Sequence, residues 1–325
     1  MGPGVNINRR NLLLLPALGL LPRRMGISSM APPPSAWEIR LLFGGDIMLS
    51  RYVARVAHRE HDPVWPLREI APLLASVDIA FANLESPFSD QGHGLDNSMV
   101  FRAEPDAIAA LIAAGLDVVS TANNHVRDAG NRGIEFTLDL LAKNHIAAVG
   151  TGPTERLAHE GVILERKGVG FGFLGYTFDQ SNGNHKDVDP RISMLDAEQM
   201  RADVAGMQKR ADVVIVSMHA GAEYQPNPNA VQQNFARAAI DAGASAVIGH
   251  HPHVVQTVEL RGNGIIFYSL GNLVFDQFQL KSTQLGWIAD LRFRGAKLTG
   301  YGIIPVDIVN TVARIHPLPG ASANS

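Results

Sequence analysis

The stretch Ile39-Arg40-Leu41-Leu42-Phe43-Gly44-Gly45-Asp46 sets an apolar run of strand length directly before a turn that ends in a carboxylate. That arrangement recurs. Residues 77–82 are followed by Asn83-Leu84-Glu85, residues 117–121 by Ala122-Asn123-Asn124-His125, residues 213–218 by His219, and residues 246–248 by Gly249-His250-His251-Pro252-His253. Helical spacing fills the gaps. Segment 105–114 opens on Pro105, which suits a first helical turn, and stops at Gly115. Segment 133–144 puts Ile134, Leu138 and Leu141 on one face, and segments 196–209 and 231–242 precede the next two runs. Apolar runs alternating with amphipathic segments predict strands joined by crossover helices. After His253 the pattern changes: segments 254–261, 265–270, 287–294 and 298–305 read as strands linked by Gly-rich turns, with no segment long enough for a helical crossover. The predicted fold is α/β in its first part and antiparallel β in its last, two packed β-sheets flanked by helices.

Of the 325 residues, 46% are hydrophobic and 18% charged, enough apolar material for a large core, which excludes a disordered or collagen-like chain. Lys and Arg number 28 against 31 Asp and Glu, a formal charge of −3. Four of the arginines and none of the acids lie in residues 1–36, so the rest carries 24 basic against 31 acidic residues, −7. Such a body lacks the clustered cations that grip a nucleic-acid backbone, and no nucleic-acid partner is expected. Cysteine is absent, so disulfides, thiolate nucleophiles and Cys-ligated zinc are out. His, Asp, Glu and Asn must carry any metal chemistry. Near the start, Arg9-Arg10 precedes a short apolar run over residues 12–21, which reads as an export signal of the twin-arginine kind, too short to span a bilayer. Arg23, Arg24 and Pro32 spoil its cleavage region, and initiation at Met25 or Met30 is the competing reading. The expected organisation is a signal and linker over residues 1–36, one domain over 37–316 and a flexible tail over 317–325. The protein is exported, periplasmic or membrane-associated, if the signal is real, and cytoplasmic otherwise.

In an open α/β sheet, groups at the carboxyl ends of neighbouring strands converge on one edge crevice. Asp46, Glu85, Asn124, His219, His251 and His253 all stand at or just past such ends. Carboxylate, imidazole and amide oxygen together suit a divalent cation such as Zn, Mn or Fe, and one carboxylate can bridge two ions. His251 and His253, two apart on extended chain, would face the same side. Taken singly, each piece has a plainer reading. Gly45-Asp46 can be a tight turn, Glu85 a solvated acid, Asn124-His125 a turn cap and His219 a satisfied core histidine. The crowding of His250, His251 and His253 is harder to explain so, because three imidazoles are costly to bury without a partner. Five polar clusters, each closing a buried run, favour a shared metal centre.

The order Gly-Asp, strand-end acid, Asn-His, His and His-x-His resembles the calcineurin-like metallophosphoesterases. More narrowly, Phe43-Gly44-Gly45-Asp46-Ile47-Met48, Ala82-Asn83-Leu84-Glu85-Ser86, Thr121-Ala122-Asn123-Asn124-His125, Gly249-His250-His251-Pro252-His253-Val254 and Ser269-Leu270-Gly271-Asn272-Leu273-Val274-Phe275 resemble the CapA family, tied to poly-gamma-glutamate capsule synthesis. The resemblance covers about residues 41–277. It implies a metallophosphatase-like αββα sandwich holding one or two divalent ions (Mn, Fe or Zn). Asp46, Glu85 and His253 would hold one ion; Asn124, His219 and His251, with Glu85 bridging, would hold the other; His125 would be the unliganded general acid. Two departures stand out. Met48 occupies a position where the wider group has His, which leaves the first ion one imidazole short, and Ala220 replaces a usual Trp, which would widen the pocket.

Around this centre, Arg102 and Tyr224 are the substrate-binding candidates, Glu223 lies at the rim, and His250 reads as structural. Asn272 is divided between a turn role and support of the site, and Arg127 and Asp128 between orienting His125 and forming a surface pair. The implied function is a metal-dependent, phosphoesterase-like hydrolase acting on an anionic polymer or a phosphoester, with capsule-synthesis machinery at the membrane as partner. A non-hydrolytic polymer-binding or assembly component is the alternative, and a metal-free scaffold a third reading. A −7 body repels a polyanion at long range, so recognition is expected to rest on metal and local arginines.

Overall fold

The first apolar run forms β1 (Glu38–Ile47), longer than its hydrophobic core because the Gly44-Gly45 pair stays in the strand. There follow α1 (Arg51–Arg59), α2 (Ala71–Leu74), β2 (Ile79–Leu84), α3 (Ile108–Ala113), β3 (Val118–Ser120), α4 (Gly130–Lys143), β4 (Ala147–Val149), α5 (Glu155–Glu160), β5 (Val162–Arg166) and β6 (Val169–Thr177). The second half adds α6 (Ala197–Met207), β7 (Val213–His219), α7 (Ala230–Asp241), β8 (Ala246–His250), β9 (Val258–Arg261), β10 (Gly264–Phe267), β11 (Asn272–Val274), β12 (Leu285–Arg294), β13 (Lys297–Val309) and β14 (Val312–Ile315). The computed structural model describes residues 37–91, 99–178 and 188–316, all within one compact unit. The expected signal and the expected tail lie outside the described residues.

Two sheets result. One runs β14-β13-β12-β1-β2-β3-β4 with β11 laid on β1, and the other runs β5-β6-β7-β8-β10-β9. Period-two alternation decides how they pack. Leu41 and Phe43 of β1 face inward with Phe171, Phe173, Ile215 and Ile248 of the second sheet, while Leu42 and Ile47 pack outward among Val53, Leu74 and Leu111 of α1, α2 and α3. On β7, Val213 and Ile215 enter the layer between the sheets, and Val214, Val216 and Met218 meet Met200, Val204 and Phe235 of α6 and α7. Both faces of the central strands are covered, which is why they read as unbroken apolar runs. Each fully buried Phe or Ile contributes about 1.5–3 kcal/mol by leaving water. Local signals hold the helix ends: Asp196 accepts from the backbone of Glu198 and Gln199 at the start of α6, and Asn229 with Gln232 forms a capping box on α7.

Several expectations need correction. The last third is not wholly antiparallel. The hairpins β9-β10 and β12-β13-β14 are, but β10 lies parallel to β8 and β11 parallel to β1, because the chain passes from one sheet to the other between Phe267 and Asn272. Segment 254–261 is strand only over Val258–Arg261. Segment 105–114 opens as a 3-10 turn over Pro105–Ala107 before α3. The hairpin β5-β6 escapes the periodicity since Gly170, Gly172 and Gly175 interrupt its apolar run. No helix among the described residues is long and apolar enough to cross a membrane.

The carboxyl ends of β1, β2 and β3 in one sheet and of β7 and β8 in the other meet across the sandwich. The crevice therefore lies between two sheets, where a single open sheet was expected to supply it.

Candidate metal centre

Two glycines set the approach of the strands here. A Cβ on Gly45 would sit 1.9 Å from the Gly271 carbonyl oxygen, and one on Gly249 would sit 2.0 Å from that of Tyr268. Neither distance is tolerable for any other residue, so β1 closes on β11 and β8 on β10 just before each presents its polar group. Asp46 is then held in register with Asn272 and Asn83.

All six expected ligands are buried at this place. Asp46, Glu85 and His253 each offer one donor atom, and the three atoms lie within 4.8 Å of one another. His253 Nε2 is 3.6 Å from Glu85 Oε1, and its Nδ1 is 3.5 Å from Asp46 Oδ2. On the other side His219 Nε2 is 2.8 Å from Asn124 Oδ1, and the His219 and His251 rings are 4.9 Å apart. The backbone around the last two histidines differs from the expected extended chain. His251 has φ 97° and His253 φ 58°, so a tight turn with left-handed backbone, not strand alternation, aims both rings inward. Such conformations cost about 1–3 kcal/mol each and persist only where surrounding contacts enforce them.

Asn83 is the residue that sequence reasoning quoted but gave no role. Fully buried, it holds Nδ2 2.8 Å from Asp46 Oδ1, 3.1 Å from Glu85 Oε2 and 3.3 Å from His219 Nδ1, so two N–H groups face three acceptors. Its place on a strand covered on both faces was the available signal. Asn272 also gains a definite role. Its Oδ1 accepts from His253 Nδ1 at 2.9 Å, and its own amide donates to the Thr283 carbonyl at 2.9 Å. This fixes the tautomer that turns His253 Nε2 toward Glu85. His250 is buried, stacks on Phe81 and brings Nδ1 to 3.3 Å from Asp46 Oδ1.

Two carboxyl groups and the rings of His219, His250, His251 and His253 share this buried space. Burial alone would raise Asp46, but hydrogen bonds and charge from His250 and His253 outweigh it and hold the carboxyl well below the usual range. Burial, then the neighbouring Asp46 charge, push Glu85 well above it. Burial and the nearby His251 push His219 well below the ordinary histidine value. No lysine or arginine among the described residues pairs with either carboxylate, and Glu85 Oε1 is buried without a hydrogen-bond partner. A divalent cation fits this donor set of carboxylate, imidazole and amide oxygen. Met48 does not: its side chain turns into the apolar layer under β1, where its sulfur accepts from the Ser50 backbone and hydroxyl.

Beside the donors lies His125, buried, its Nδ1 2.8 Å from Asp128 Oδ2 and its ring 3.7 Å from that of Phe101. Asp128 therefore orients His125, and both Asp128 and Arg127 are buried, so neither belongs to a surface pair. A cavity of about 300 Å³ opens from His125 and His253, lined also by Glu223 and Tyr224. Tyr224 is half exposed, and burial together with Glu223 pushes its hydroxyl up to about 12. Arg102 is half-buried and does not line this cavity; Arg51, which sequence reasoning passed over, does. Ala220 packs in the layer under α6 and α7, so its small side chain does not widen the cavity.

Comparison with known proteins agrees with this architecture. The model of the family described as bacterial capsule synthesis protein PGA_cap matches residues 40–277. The PGA biosynthesis protein CapA of Bacillus subtilis is 34% identical over 240 residues, 72% of this chain and 63% of its own length. The capsule biosynthesis protein CapA of Bacillus anthracis is 31% identical over 252 residues, 74% of this chain and 60% of that one, so this chain spans about three fifths of those relatives. A Staphylococcus aureus chain assigned as a 5'-nucleotidase shares the fold alone, with TM-score 0.50 at 11% identity over 82% of this chain and 54% of that one. With a sandwich of the calcineurin-like metallophosphoesterase kind and five motifs gathered at its sheet ends, the chain belongs to the CapA family of bacterial capsule synthesis proteins.

Proposed function

We propose that this protein is a divalent-metal-dependent hydrolase that cleaves an anionic polymer of the poly-gamma-glutamate type, or a phosphoester on the route to it. The observation that carries the reading is the convergence of Asp46, Glu85 and His253 within 4.8 Å, with a Glu85 oxygen left without a hydrogen bond, next to a histidine already oriented by a carboxylate. Asp46, Glu85 and His253 would hold one ion of Mn, Fe or Zn, and Glu85, Asn124, His219 and His251 a second. Such a cation would supply Lewis acidity, lowering the pKa of water and offsetting negative charge at the reacting centre.

The chain's own groups do the rest. His125 carries its proton on the ring so that Nδ1–H donates to Asp128, which leaves Nε2 as the nitrogen that exchanges a proton with the leaving group. As water adds to phosphorus or carbonyl carbon it releases a proton, Nε2 of His125 takes up a proton and delivers it to the leaving oxygen or nitrogen as that bond breaks, and Asp128 holds Nδ1 in place throughout. Phe101 against the ring limits competing water. Tyr224 and Arg51 bound the cavity that receives the substrate.

A second reading has its own support. Met48 donates nothing, and the Bacillus relatives are named for biosynthesis, which suits a non-hydrolytic component that binds polymer through the same centre. Metal analysis of purified protein with turnover of an aryl phosphate in Mn²⁺ separates the two. The hydrolytic reading expects bound metal, turnover that EDTA abolishes, and loss of both in the folded double variant His251→Ala, His253→Ala. Bound metal without turnover on either phosphoesters or γ-linked glutamate favours the binding component, and stoichiometric metal in the double variant would refute the ligand assignment.

A further inference from the structure

Just past β11, two neighbouring residues hold side chains of the cavity wall. Asp276 pairs through both carboxylate oxygens with Arg51, whose guanidinium lies 4.8 Å over the Phe101 ring. Gln277 is placed differently. Its amide stands between Tyr224, which lines the cavity, and Asn272, which supports His253. Each bond in that series has a direction forced by the one before it. Asn272 Nδ2 faces the Thr283 carbonyl at 2.9 Å, so Oδ1 is the atom 2.9 Å from His253 Nδ1, and that nitrogen carries the hydrogen. The same Nδ2 donates its second hydrogen to Gln277 Oε1 at 3.2 Å, which leaves Gln277 Nε2 to donate to Tyr224 Oη, also at 3.2 Å. The phenol oxygen therefore accepts. Its own hydrogen goes to Glu223 beside it or to an acceptor in the cavity that both residues line. Hydrogen bonds aligned head to tail polarise one another, so loss of an outer link is felt at the inner one.

The backbone does not depend on this side chain. The Thr283 hydroxyl donates to the Gln277 carbonyl at 2.6 Å, which holds the segment whatever side chain stands at 277. Tyr224 is fixed by its own amide, which donates to the Pro252 carbonyl at 2.8 Å in the turn that aims His251 and His253. If the chain is cut at Gln277, Asn272 Nδ2 keeps the Thr283 carbonyl, and half-exposed Tyr224 keeps solvent. The cut therefore spares the fold. It loosens the Asn272 amide and, through it, the ring of His253, whose Nε2 is 3.6 Å from Glu85 Oε1.

We propose that Gln277 is a positioning residue for His253, the middle link of a one-way chain that ties the Tyr224 hydroxyl at the cavity wall to a ligand of the first ion. The proposal rests on the reading above for His253 as a ligand, and on nothing about hydrolysis. Its test is a double-mutant cycle on Mn²⁺ affinity, measured by calorimetry on variants whose fold is verified by circular dichroism. Gln277→Met should weaken binding about 5- to 10-fold and Tyr224→Phe about 3-fold. The double variant should be no weaker than Gln277→Met alone, because one broken link already opens the chain. Gln284→Met removes an amide that bonds the Phe278 and Leu280 carbonyls of the same segment, and it should bind as wild type does. In the metal-free protein, the Nδ1–H proton resonance of His253 should move in Gln277→Met and in Tyr224→Phe and stay in Gln284→Met. Unchanged Mn²⁺ affinity in Gln277→Met, effects that multiply in the double variant, or an unmoved resonance overturns the proposal. Mn²⁺ affinity that survives the paired change His251→Ala, His253→Ala overturns the ligand assignment and the proposal with it. Absence of turnover on every substrate, with the cycle as expected, rejects hydrolysis and keeps Gln277 in its role.

Discussion

The two halves of the candidate metal centre are built differently. From the first sheet come Asp46, Asn83, Glu85 and Asn124, oxygen donors and amides at or just past the ends of parallel strands, spaced by the register of β1, β2 and β3. From the second come His219 on β7 and then His250, His251 and His253, where the chain leaves β8 for a turn with positive φ at His251 and His253. Strand register positions a short acid well because its carboxylate stands close to the backbone. His219 still reaches it from the regular strand β7, but His251 and His253, which lie past the end of β8, need the backbone itself re-aimed, and the turn around Pro252 does that. The carboxylates and His219 are thus placed by regular structure and the last two imidazoles by strained structure.

The strongest way to break this contrast is to deny the strands their close approach. Gly45→Ala and Gly249→Ala each force a Cβ against a backbone carbonyl on the neighbouring strand, and each should cost about 3 kcal/mol or more, read as a lowered denaturant midpoint or failure to fold. Normal stability in either variant would mean that the strands are not pinned as described. A milder cut removes the support of one half at a time. Asn272→Ala frees His253 from its tautomer-setting acceptor, and Asn83→Ala takes away the amide between Asp46, Glu85 and His219. Both should weaken metal binding about 10- to 100-fold with the fold intact, and unchanged binding in either would show that half to be self-supporting.

The smallest effect sharpens the electrostatic side. Glu85 has its carboxyl raised by burial and by Asp46, so without metal the folded chain holds that proton more tightly than the unfolded chain. The stability this gives is fully present below the ordinary value of 4.5 and is lost as pH rises through the folded-state value. Glu85→Gln keeps the side chain neutral at all pH. Its metal-free form should melt about 2–4 °C above the metal-free wild type at pH 8, the difference vanishing near pH 4. Metal affinity of the wild type should rise over the same interval, since cation and proton compete for Glu85. A variant no more stable than wild type at pH 8 would show that the carboxylate is not strained in the absence of an ion.

Much of this was legible in the chain. Ile39-Arg40-Leu41-Leu42-Phe43 announced β1, and polar residues at the end of each later run announced the rim, because a buried strand must be apolar until it reaches the solvent end where polar groups can be satisfied. The hairpin β5-β6 was not legible, since its glycines erase the hydrophobic period while backbone pairing maintains the strand. Arg51 was missed because an arginine after Ser50 looks like any solvated helix start; only the fold lays it over Phe101. Asn83 looked like one more strand-end amide until three acceptors were found around it.

By itself, then, the amino-acid order determined most of the strands, several of the helices between them and the identity of the candidate donors, since those follow from local periodicity and side-chain chemistry. Only the tertiary structure decided that the donors come from two sheets, that Met48 turns away, and that a guanidinium stands beside His125. Those facts depend on which strands pair and how closely, a matter of contacts between residues far apart in the chain, such as the His251 amide on Asp46, 205 positions away, which no local pattern encodes.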